Sequence, residues 1–182
     1  FSPFFWLTLP FPTEAVPFLI GPLLMLKTAC AALTSYFYIK RFVKDQYYAV
    51  IGSILYAFSG FAVYNIFFNP FHEVIVFFPL LLIGVEELVT NNRKGLFAIT
   101  VAINCLVNYW FFIGEVVFVV LYVFLRMTDR SWGMTVKRFC AVALESVLGL
   151  CLAMVVLLPS VLAIMGNPRT TSDNLLYGWN IW

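Results

Sequence analysis

Long apolar runs alternate along this chain with short polar interruptions, and the spacing of those interruptions predicts helices that cross a membrane. Residues 15–39 form one apolar run, entered past Glu14 and left at Lys40. A second extends from Tyr47 to Phe67 and ends at the turn Asn69-Pro70-Phe71-His72-Glu73, and a third runs from Val74 to Val89 before Asn91-Asn92-Arg93-Lys94. With about 20 apolar residues needed to cross a hydrocarbon layer ~30 Å thick, each reads as one span. Between Lys94 and Arg126 lie 31 residues without Lys or Arg. At about 1.5 Å per residue a single helix of that length would overshoot the bilayer. Both of its flanks are basic, so the stretch predicts a hairpin of two short helices, bent near Asn108-Tyr109-Trp110 and reaching to Gly114-Glu115. A last span rises from Lys137 to Met165. The expected fold is all-α, a polytopic transmembrane bundle of about six spans including one short helical hairpin. Residues 1–182 form one such unit.

Charge orients this picture. Nine of the eleven Lys and Arg fall in three clusters, Lys40, Arg41 and Lys44, then Arg93 and Lys94, then Arg126, Arg130, Lys137 and Arg138. Clusters between apolar runs read as cytoplasmic loops, which places both ends of the chain on the outer face of a cytoplasmic membrane. With 63% hydrophobic and 11% charged residues, no soluble domain is expected. The net charge of +2 arises from these loops and argues for contact with anionic membrane lipids, not nucleic acid. The opening at Phe1 and the close at Trp182 suggest an internal piece of a larger multispan protein. In it, residues 1–14 would form an outer interfacial segment, broken by Pro3, Pro10 and Pro12, and residues 166–182 an outer loop.

Candidate chemistry sits where lipid would penalise polarity. Lys27 lies about 12 residues into the first span, where a charge costs ~3 kcal/mol or more unless paired or hydrated. It implies a buried partner or a wet cavity, or else a stem that snorkels. Glu115, with Asn108 and Tyr109 at the bend of the hairpin, is placed to line an outward-facing cavity, and Glu145 to form a buried pair. His72 and Glu73 bring an imidazole and a carboxylate to the mouth of two helices and could relay a proton or hold a polar headgroup. In an extended turn, however, adjacent side chains point apart. Arg169 is the basic residue on the outer side, and its guanidinium suits a lipid phosphate. Pro22, Pro79 and Pro159 would kink their spans and free backbone carbonyls. The four cysteines lack paired spacing and a single His stands alone, so neither a disulfide framework nor a protein-built metal site is expected.

The order of elements resembles the YfhO-type family of bacterial membrane proteins. The resemblance runs through Phe1-Ser2-Pro3-Phe4 and Leu26-Lys27, Tyr56-Ala57-Phe58-Ser59-Gly60-Phe61-Ala62-Val63-Tyr64-Asn65, Phe78-Pro79-Leu80-Leu81-Leu82-Ile83-Gly84-Val85-Glu86, Asn108-Tyr109-Trp110 and Leu158-Pro159 before Pro168-Arg169. It implies a GT-C-like bundle and a glycosyltransferase that moves a sugar from a polyprenyl-phosphate donor to a teichoic acid acceptor on the outer face. No cofactor is required by the resemblance, and a divalent metal stays open. It also implies that the principal catalytic carboxylate lies ahead of Phe1. His72 and Glu73 are then supporting candidates, with Arg169 and Lys27 as candidates for the carrier phosphate. Two other classes fit the same buried charges. One is a lipid or sugar-lipid flippase or transporter; the other is a structural scaffold subunit.

Overall fold

The structure, a computed structural model, describes residues 2–165. The expected loop at 166–182, and Arg169 with it, lies outside the described residues. Among the described residues every regular element is helical. Five stretches are long and apolar enough to cross a membrane, Thr13–Ile39, Gln46–Tyr64, Val74–Asn91, Tyr109–Met127 and Val136–Ala163, and Leu96–Val107 is a shorter apolar helix.

The elements in chain order are α1 (Val16–Ile39), α2 (Gln46–Ala57), α3 (Gly60–Tyr64), α4 (Asn69–His72), α5 (Val74–Asn91), α6 (Leu96–Val107), α7 (Tyr109–Met127) and α8 (Val136–Met165). The hairpin is present and turns at Asn108. This residue adopts an extended conformation, and its side-chain oxygen accepts hydrogen bonds from the amides of Trp110 at 3.1 Å and Phe111 at 3.3 Å. That is an N-cap, and it starts α7. The second span differs from the continuous helix expected. It breaks at Phe58, and Ser59 restarts it by accepting the amide of Ala62 at 3.4 Å. The turn at 69–73 is likewise not extended. Residues 69–72 form the short helix α4, and Glu73 then stands just before α5 with no side-chain capping bond to it.

Packing inverts the pattern of a water-soluble protein. Large apolar side chains such as Leu121 and Leu125 on α7 and Leu144 and Val155 on α8 are exposed, while polar groups are buried, as a bundle in lipid requires. The buried positions of α1 are Lys27, Ala31 and Ser35, and those of α2 are Ala49, Ser53 and Ala57, four residues apart in both helices. Small residues at that spacing let two backbones approach closely. The Ser35 hydroxyl reaches the Ser53 carbonyl at 3.5 Å. The same device seats α6 between α5 and α8. A Cβ on Gly84 would stand 3.1 Å from Phe97 Cα, and one on Gly149 only 2.5 Å from the Ala98 carbonyl oxygen.

Pro79 and Pro159 lie inside α5 and α8, and Pro22 inside α1. Proline has no N–H, so the carbonyl four residues before Pro79, that of Ile75, loses its helical partner. The Tyr56 hydroxyl donates to it at 3.0 Å. A carbonyl stranded in apolar surroundings is thus satisfied by the neighbouring helix.

Candidate functional site

At the end of the bundle opposite the basic loops, Lys27 and Glu73 form a buried ion pair with Nζ and Oε1 2.8 Å apart. Lys27 is 1% exposed and Glu73 0%. The Ser2 hydroxyl also donates to Glu73 Oε1, and the Phe4 ring centroid lies 5.7 Å from the Lys27 ammonium. Phe4 packs in turn on Phe77 of α5. The N-terminal segment therefore docks on the bundle through a hydroxyl and a ring, and it closes the pair from above. Glu73 also sits at the start of α5, where the helix dipole favours an anion.

The carboxylate is half used. Oε1 accepts from Lys27 and Ser2, whereas Oε2 is buried with no hydrogen-bond partner among the described residues. Beside it, His72 is also buried, and its Nδ1 has no such partner. Burial and the Lys27 charge both hold the imidazole below its ordinary pKa, so it is neutral at pH 7.

Two cavities meet at α4. His72 lines an apolar groove of about 420 Å³ between α1 and the α2–α3 break, with Leu24, Met25, Phe58, Val63 and Ile66 on its walls. Phe71, the preceding residue, lines a wider cavity of about 620 Å³ with Asn108, Tyr109, Trp110 and Ser160. The first is lined almost wholly by apolar side chains. The other sets the exposed Tyr109 and Trp110 rings, the Asn108 amide and the Ser160 hydroxyl among the aliphatic side chains of Leu106, Val107, Val156 and Leu157.

The structure thus joins Lys27, Glu73 and His72 in one cluster and sets Asn108 and Tyr109 across α4 from it. Glu115 is elsewhere, buried on α7 within electrostatic reach of Tyr56 and Cys105, with its Oε2 unpartnered among the described residues. Glu145 accepts the amides of Gly95 at 2.8 Å and Ala98 at 3.3 Å, binding α8 to the first turn of α6. Among the described residues no three His, Cys, Asp or Glu side chains converge as metal ligands, and Lys27 already occupies the position a cation would take at Glu73.

Sequence reasoning missed the most connected carboxylate. Glu86 accepts from the Tyr122 hydroxyl, from Arg126 Nε at 2.8 Å and Nη2 at 3.2 Å, and from the indole of Trp132 at 3.0 Å. Arg126 is flanked by the rings of Phe42 and Trp132, at 5.1 and 5.3 Å. Next to it, Glu87 pairs with Arg41 and with Arg93 at 3.3 Å. The signal was present as two adjacent carboxylates inside an apolar span. Their saturation by partners makes them struts at the basic end, not a reactive site.

No curated protein and no solved structure matches this chain. The family model described as bacterial membrane protein YfhO matches residues 1–181. Its apolar helices, buried polar cluster and basic loops are those of a multi-pass membrane protein, and the chain belongs to the YfhO family of bacterial membrane proteins.

Proposed function

We propose that the protein acts in an integral-membrane glycosyltransferase that takes a sugar from a polyprenyl-phosphate carrier and gives it to a hydroxyl of a cell-envelope polymer, a teichoic acid. The basic loops then face the cytoplasm, and the Lys27–Glu73 end opens on the outer face. One observation carries this reading. The helix that bears His72 and leads into Glu73 contributes to an almost wholly apolar groove on one side and, on the other, to a cavity whose aliphatic lining also carries the Asn108 amide, the Tyr109 and Trp110 rings and the Ser160 hydroxyl, a pairing that suits a lipid carrier and a sugar acceptor.

In the transfer, the acceptor oxygen bonds to the anomeric carbon as the carbon–oxygen bond to the carrier phosphate breaks. The acceptor proton must leave as that bond forms. Glu73 Oε2 is a buried, unpartnered acceptor beside His72, Lys27 pairs with the other carboxylate oxygen, and neutral His72 can donate to or accept from a group at the mouth of the groove. These are supporting roles beside a principal carboxylate. The depth of the unsatisfied groups also favours transfer over translocation. The carboxylates of the basic end are saturated by partners, and the unpartnered, buried oxygen of Glu73 lies near the opposite end.

The test uses the full-length protein in its own cell. The gene is deleted, the sugar content of purified teichoic acids is measured by mass spectrometry, and the strain is complemented with wild type, Glu73→Gln or His72→Ala. Loss of one sugar, restored by wild type and not by a well-expressed Glu73→Gln protein, is the expected result. Unchanged polymer overturns the transferase reading, and accumulation of a cytoplasmic sugar-lipid precursor replaces it with transport.

A further inference from the structure

The three basic clusters look alike in sequence, but the fold separates them into spent and unspent charge. Arg41, Arg93 and Arg126 are consumed by Glu87, Glu86 and Asp129. Lys94, Lys137 and Arg138 instead line a cavity of about 530 Å³ between the α5–α6 connection and the start of α8. Neither lysine makes an ion pair among the described residues, and Arg138 spends one nitrogen on the Gly133 carbonyl, at 2.6 Å. The acid on this lining is Glu145, whose two oxygens already accept the amides of Gly95 and Ala98. The cavity therefore holds three cations and no uncommitted anion.

Placement makes that excess more telling. Lys137 and Arg138 stand in the first turn of α8, the longest helix in the bundle, where the macrodipole is positive and cations are disfavoured. An anion seated there would be favoured by both side chains and by the dipole of that helix. Below the cavity, Leu144, Leu148, Leu152 and Val155 form an exposed apolar stripe down α8. A free phosphate would use the cations alone, whereas a phospholipid would use cations and stripe together.

We propose that this cavity is a binding site for the phosphate headgroup of an anionic phospholipid, whose acyl chain lies along the Leu144–Val155 face of α8. Each cation near a charged lipid surface strengthens binding about fivefold, so three account for about a hundredfold preference over a neutral lipid.

The full-length protein in neutral detergent is titrated with phosphatidylglycerol, phosphatidylcholine or inorganic phosphate, and retained lipid is counted by native mass spectrometry. Phosphatidylglycerol should bind about a hundredfold more tightly than phosphatidylcholine, and K94Q/K137Q/R138Q should abolish the difference. K40Q/K44Q, which removes two cations of another cluster, should leave it in place. Equal binding of the two lipids, an unchanged triple variant, or equal loss in K40Q/K44Q overturns the proposal. Competition by millimolar inorganic phosphate at no cost from the missing acyl chain replaces the lipid with a soluble anion. A triple variant that is unstable without lipid is replaced by K94Q/K137Q, which leaves the Arg138–Gly133 bond intact and should lose most of the preference.

Discussion

Removing one member of the Lys27–Glu73 pair should damage the protein far more than removing both. The two charges are 2.8 Å apart and at most 2% exposed, so neither can recover hydration when its partner is lost. Breaking a buried pair from one side costs about 3–5 kcal/mol, because the remaining charge is left uncompensated; replacing both by apolar groups of similar volume is often close to neutral. Lys27→Met leaves Glu73 with the Ser2 hydroxyl as its remaining donor, and Glu73→Leu leaves a buried ammonium under the Phe4 ring. Each single variant should lose about 3–5 kcal/mol, and Lys27→Met/Glu73→Leu should return to within about 1–2 kcal/mol of wild type. Equilibrium unfolding in mixed micelles titrated with sodium dodecyl sulfate reads these differences. Single variants as stable as wild type, or a double variant as unstable as the sum of the singles, would refute the reasoning. On the functional proposal, the restored double variant should still transfer no sugar, which separates holding the bundle together from serving the site.

Tyr56→Phe should cost about 1–3 kcal/mol by orphaning the Ile75 carbonyl, and the loss should shrink in a Pro79→Ala background, where a backbone N–H returns; equal losses in both backgrounds would sever the link between tyrosine and proline. Gly149→Ala should destabilise by about 1–3 kcal/mol, since its Cβ would meet the backbone of α6, whereas Gly114→Ala, with open space at its Cβ, should be silent in the same unfolding titration. His72 lies in α4, outside the five candidate spans. Its folded pKa is below the unfolded value, so below pH about 6.5 the unfolded chain binds a proton the folded one refuses. Stability should therefore fall as pH drops from 7 toward 5, by at most about 1.4 kcal/mol per unit, and His72→Gln should flatten that slope.

The spans were legible because lipid enforces them. Apolar runs of the right length between basic clusters leave few alternatives, and even the α6–α7 hairpin followed from a stretch too long for one crossing and too symmetric in charge for two ends on opposite sides. The break at Phe58 was not legible, since Phe58-Ser59-Gly60 reads as apolar and small within a longer run. For the site, Lys27 stood out as costly and Glu73 as a carboxylate in an outer turn, but their partnership is a matter of how α1 and α5 pack across 46 residues of sequence. His72 and Glu73 were separated in an extended turn; a helical turn instead buries both. Glu86 escaped notice because its partners come from α7 and the loop beyond it, which only the folded bundle brings together.

The two ion pairs that tie α1 and the turn after it to α5 and the residue before it have a mechanical consequence. Lys27–Glu73 and Arg41–Glu87 are each separated by 46 residues in sequence, so the helices run parallel with one register, pinned at two levels about 21 Å apart. Sliding one helix along the other would have to break both pins at once, and rotating either would tear the upper one out of its buried seat. α1 and α5 are thereby held in one register. On the functional proposal, any opening of the groove should then come from the α2–α3 break swinging away from α1 and α5, a hinge motion and not a shear.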